Sequence, residues 1–137
     1  MRTEIENAVE TDAKPGESPE NAALLAELKN YLRSYTASVE NIGLKLRLEK
    51  GVELTVFPGI YKGADWIINA VKRVAPADGP HSFVIDETGV NACLAGLLEA
   101  VRARDEILMA DILEYELLQR MLGIMDFVGA IDQRQSR

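Results

Sequence analysis

One cysteine, Cys93, stands in 137 residues, so no internal disulfide can form. That fits a reducing compartment, and a cytoplasmic location is expected. No apolar run approaches the ~20 residues of a membrane-spanning helix. No charged stretch followed by an apolar one opens the chain, so neither a membrane partner nor a secretory signal is expected. Positive charge is also scarce: 15 Lys and Arg stand against 22 Asp and Glu, a net charge of −7. A duplex-binding protein needs clustered basic residues to displace counterions. Here they are scattered, apart from Arg102 and Arg104 and the terminal Arg134 and Arg137, and no nucleic-acid partner is expected.

Catalytic signatures are missing as well. There is no Gly-x-Ser-x-Gly elbow, no glycine-rich phosphate loop ending in Lys-Ser/Thr, and no Cys-x-x-Cys pair. Cys93 lies among alanines and leucines without a histidine on a recognisable partner element, which reads as a buried, inert thiol. The one histidine, His81, falls in the turn-rich stretch Ala75–Ser82 and reads as a solvated loop residue. No Glu-x-x-His occurs, so the ligand set of a di-iron bundle is lacking. No catalytic residue, cofactor or metal is expected, and the protein reads as a non-enzyme.

What the sequence does contain is helix. Apolar residues make up 47% and charged residues 27%, with aromatics at only 6%. That is an ordinary globular composition weighted toward helix formers, and the length suits one domain. Residues 1–17 are polar, mostly acidic and end near a Pro-Gly pair, and they predict a disordered acidic tail. Ser18-Pro19-Glu20 then reads as a helix start. Leu25, Leu28, Leu32, Tyr35, Val39, Ile42 and Leu46 follow at alternating spacings of 3 and 4, a continuous apolar seam. This helix is expected to run to about Lys50 and stop at Gly51.

A second helix is predicted over about Leu54–Val74, with Pro58 either in its first turn or kinking it and Val56, Ile60, Gly63, Ile67, Ala70 and Val74 on its stripe. Gly63 there would allow a close helix approach, and Trp66 reads as a core wall. Phe83-Val84-Ile85 reads as a lead-in to a third helix, capped by Asp86 or Thr88 and carrying Val90, Leu94, Leu97, Leu98 and Val101. Arg102–Asp105 is long enough only for a tight turn. Asp105 is a fair cap for a last helix lasting to about Ile131. The fold class expected is therefore all-α, an antiparallel up-down-up-down four-helix bundle over residues 18–132.

Two segments carry a resemblance. Pro58, Ile60, Gly63 and Trp66 form a P-x-I-x-x-G-x-x-W pattern, and Ala110-Asp111-Ile112-Leu113-Glu114-Tyr115-Glu116-Leu117 forms A-D-x-L-E-Y-E-L. In these the chain resembles a family of small, uncharacterised, all-helical bacterial proteins of Firmicutes type. The family pattern has a proline shortly after E-Y-E-L, where this chain has Gln119-Arg120. The resemblance implies a helical fold over roughly residues 24–122 and carries no catalytic residue with it.

The last helix holds the two open questions. A 100° wheel puts Ala110, Leu113, Leu117, Met121, Ile124 and Val128 on one face, with Glu114 inside that arc and Asp111 at its edge. Acids so placed need a partner, such as a tyrosine (Tyr31, Tyr35 or Tyr61) or an arginine of a neighbouring helix. The alternative use is a magnesium-dependent hydrolase of the all-α nucleotide pyrophosphohydrolase type. Asp111-x-x-Glu114 would supply half of its ligands, but no matching acid pair is evident on another helix. On the opposite side, Leu108, Ile112 and Tyr115 make an apolar back face that a monomeric bundle does not need. That face marks an interaction surface, most simply a homodimer or the seat of another protein, in an adaptor or chaperone-like role.

Overall fold

The computed structural model describes residues 19–49, 51–75 and 86–135. The expected tail, His81 and the Phe83–Ile85 lead-in lie outside the described residues. Four helices and no strand occur among those described. Helix α1 spans Pro19–Arg47. A 3₁₀ turn, Leu54–Val56, leads into α2, Phe57–Val74. Helix α3 is Glu87–Arg102. Helix α4 begins at Glu106 and ends at Gln135, in three contiguous stretches. Glu106–Asp111 and Leu118–Gln135 are α-helical, and between them Ile112–Leu117 is π-helical.

The α1 seam is buried at Leu25, Leu28, Leu32, Tyr35, Val39 and Leu46, with Ile42 partly buried against the same core. Each such leucine contributes roughly 1.5–3 kcal/mol by leaving water. Glu20 in the first turn and Lys45 and Arg47 in the last complement the helix dipole. The helix stops at Arg47, earlier than Lys50, because Glu49 takes the left-handed conformation (φ 55°) and its amide donates to the Leu46 carbonyl at 3.3 Å. Gly51 (φ 74°) then turns the chain again, outside the helix.

Pro58 sits in the first turn of α2, where its missing amide leaves no helical bond unmade. Gly63 lies against α1: a Cβ there would fall 2.6 Å from both Tyr31 Oη and Tyr35 Cε1. Tyr35 is fixed in that place by its hydroxyl, which donates to the Ile60 carbonyl at 2.7 Å. Burial, and secondarily Tyr31 and Cys93, push the Tyr35 phenol far above its ordinary pKa. Trp66 packs partly buried on the core and meets Tyr31 edge to face, with ring centroids 4.9 Å apart.

Asp86 caps α3 by accepting from the Gly89 amide at 2.9 Å, and its second oxygen accepts from Arg120 of α4 at 2.8 Å. After α3 the chain reverses through Arg104 (φ 55°), and Asp105 caps α4 by accepting from the Leu108 amide at 3.1 Å. Helix α1 packs along α2 and along α4, and α3 packs against the first half of α4. Asn21, at the start of α1, donates to the carbonyl of Arg73, at the end of α2. Lys72 near the end of α2 pairs with Glu87 at the start of α3 at 2.8 Å.

Candidate functional site

The A-D-I-L-E-Y-E-L segment is where α4 leaves α-helical geometry. The Leu118 amide donates to the carbonyl of Leu113, five residues back. The side-chain amide of Gln119 reaches the Glu114 carbonyl at 3.4 Å. A π turn takes in an additional residue, yet the core face read from the wheel persists through it: Ala110, Leu113, Leu117, Met121, Ile124 and Val128 are all buried. Insertions of this kind recur at functional sites.

Neither acid is embedded in the core. Asp111 and Glu114 each keep 44% of their side-chain surface exposed, at the seam between α4 and the end of α1. One residue holds both: Arg47 donates from Nη2 to Asp111 Oδ1 at 2.8 Å and from Nε to Glu114 Oε1 at 2.9 Å. The planar guanidinium suits this two-armed grip. The bonds to Asp111 and then Glu114 raise the Arg47 pKa further above its ordinary value, so it is cationic at every relevant pH. In so exposed a position the ion pairs add little stability, and their consequence is geometric.

None of the tyrosine candidates serves these acids. Tyr35 bonds to Ile60, and the buried hydroxyl of Tyr61 makes no hydrogen bond. Arg47 itself was not legible in advance. It lies one residue past the α1 seam, and only the docking of α1 on α4 brings it to Asp111. A cation, Arg47, is thus what faces Asp111 and Glu114 from the neighbouring helix. Among the described residues no three His, Cys, Asp or Glu side chains are grouped to hold a metal ion.

The guanidinium carbon of Arg47 also lies 5.4 Å from the centre of the Tyr115 ring, a cation–π contact. Tyr115 is 63% exposed and Leu108 43%. Ile112 departs from the expected back face, being only 4% exposed. The reason is that α4 is covered on two sides. Ile112 faces α3 at Gly96, where a Cβ would lie 3.6 Å from its Cδ1.

Sequence reasoning missed the wider pattern in which Leu108 and Tyr115 sit. Among the described residues eight large apolar side chains are exposed: Tyr31, Leu44, Leu48, Leu54, Leu98, Ile107, Leu108 and Tyr115. All but Tyr31 lie in or beside the last turns of α1 and α3, in the 3₁₀ turn before α2, or in the first third of α4. Leu44 and Leu48 flank Arg47, Ile107 and Leu108 precede Asp111 by one turn, and short turns join the remaining two helix ends to these. Beside the clasp, a groove of about 530 Å³ runs between α1 and α4, lined by Leu44, Arg47, Glu114, Leu118 and Leu122 among others.

Cys93 is buried, and loss of solvation, then the charge of Glu116, pushes its thiol up to about 11. Among the described residues no helix is long and apolar enough to cross a membrane.

A family model matches residues 23–126, described as a domain of unknown function (DUF8042). The chain belongs to this family. The match takes in nearly all of α1, the whole of α2 and α3, and α4 as far as Asp126, so the π turn and its arginine clasp lie inside the DUF8042 domain. No curated protein and no solved structure matches the chain.

Proposed function

We propose that this DUF8042 domain is a non-enzymatic interaction protein, adaptor or chaperone-like, that works in the cytoplasm by self-association or by docking a partner helix. The observation that carries this reading is that seven of eight exposed large apolar side chains lie in segments that an up-down bundle brings to one end. Scattered apolar residues are normal on a surface, whereas gathered ones mark contact sites. We read the helices as an antiparallel up-down-up-down bundle. In support, Asn21 reaches Arg73, Lys72 pairs with Glu87, Gly96 lies beside Ile112 through the α3–α4 turn, and Arg47 reaches Asp111.

Leu108 and Tyr115 belong to the contact surface in this reading, and Ile112 supports it from behind. Asp111 and Glu114 serve as polar anchors for Arg47 and not as acid–base groups. Sedimentation velocity over a wide concentration range tests the reading, with reversible mass increase expected. A protein that stays monomeric to about 1 mM, where even a −4 kcal/mol association would show, overturns self-association.

A further inference from the structure

We propose that the apolar end is a twofold interface to a second copy of this chain, with Tyr115 as its anchor and Arg47 as the residue that positions it. The proposal rests on the self-association reading and names its surface.

Area is the first argument. The seven side chains present roughly 600 Å² of accessible surface, at the top of the range for the largest patch on a monomer. A stable interface needs about 800 Å² per partner, so this end together with its polar rim suffices.

The rest of the chain is badly placed to cover it. Apart from Lys50, the residues outside the described ones join the molecule at the opposite end: before α1, between α2 and α3, and after α4. Residues 1–18 have the length, but offer only Ile5 and Val9 as apolar anchors among five acids.

Tyr115 is prepared for contact. Its exposed ring rests on Arg47, and Arg47 is held by Asp111 and Glu114 from the same stretch of α4. A side chain ordered beforehand loses less freedom on binding. Tyrosine and arginine are also the residue types that dominate interface energies.

Charge favours a copy of the same chain. Lys45, Arg102 and Arg104 are exposed at this end together with Glu49, Glu53, Glu99, Asp105 and Glu106, with Arg102 bonded to Glu99 in its own helix. A twofold axis sets one patch against itself, so a rim carrying both signs pairs unlike charges across it.

Sedimentation equilibrium on the full 137-residue chain tests the proposal. The expected result is a dimer that Tyr115→Ala weakens at least about thirtyfold. Tyr115→Phe, which keeps the ring on Arg47, leaves the constant within about threefold. Arg47→Met weakens it about three- to tenfold through the lost cation–π support, with the far-ultraviolet spectrum unchanged. Leu48→Glu, at an exposed position, gives monomer. A dimer indifferent to both Tyr115→Ala and Leu48→Glu overturns this interface while leaving self-association standing. A monomer at every concentration overturns both readings. Growth beyond the dimer overturns the twofold.

Discussion

Replacing Gly63 with alanine probes the contact that lets α1 and α2 pack closely. The added methyl would lie 2.6 Å from Tyr31 Oη and 2.6 and 2.8 Å from two carbons of the Tyr35 ring, whereas ordinary contacts begin near 3.4 Å. Tyr31, 37% exposed, can swing outward. Tyr35 cannot, because its ring is 6% exposed and its hydroxyl is tied to Ile60. Overpacking costs about 1–3 kcal/mol in general, and an approach this short to a ring that cannot move belongs at the upper end, about 2–3 kcal/mol. Alanine recovers up to about 1 kcal/mol of helix propensity over glycine. The net expected loss is about 1–2 kcal/mol, a drop in Tm of roughly 3–10 °C for a chain of this length. Urea unfolding followed by circular dichroism measures it. Gly123→Ala is the control: it is a helix-interior site with nothing within 4 Å of the added atom, and it should gain up to about 1 kcal/mol. Combining Gly63→Ala with Tyr35→Leu should show favourable coupling of at least ~1 kcal/mol, because the clash partner is gone. A Gly63→Ala protein as stable as the parent, or an additive double variant, refutes the close-approach argument.

Ile112→Glu should unfold the domain or cost more than about 3 kcal/mol, since it buries a charge against α3, while Leu108→Glu, compared at concentrations too low for self-association, leaves the melting curve nearly unchanged. Thermal unfolding of the two variants side by side checks this. The Gly89 amide, and then Arg120, hold the Asp86 carboxyl below its ordinary value of 3.8. A depressed acid contributes stability that is fully present above the unfolded-state pKa and is lost as pH falls through the folded-state value. Asp86→Asn should therefore flatten the fall in stability below about pH 4, measured by urea unfolding at stepped pH. Burial holds Cys93 at about 11 instead of 9.0, which cuts its thiolate at pH 8 about a hundredfold. An aromatic disulfide reagent should then label the native protein at least that much more slowly than the urea-unfolded chain, and equal rates would contradict the burial of Cys93.

The sequence by itself determined the helices, because each follows from local rules. The seam from Leu25 to Leu46 repeats at the helical period, Pro58 can begin a helix but not interrupt one, and Asp86 and Asp105 stand where free amides need an acceptor. Gly63 already announced a close approach, since a glycine on an apolar stripe leaves room for another helix. Only the tertiary structure decided the site. The π turn at Ile112–Leu117 has no local signature in composition, although the core face from Ala110 to Val128 that the helical period predicts stays buried through it. The pattern of a single helix puts Ile112 on a free back face, whereas α4 is covered by both α1 and α3 and Ile112 is buried. Arg47 and Asp111 are 64 positions apart in sequence, and no periodicity within either helix encodes their meeting. The exposed apolar residues are likewise drawn from α1 with the turn after it, the 3₁₀ turn before α2, α3 and α4, each contributing one to three that are unremarkable alone.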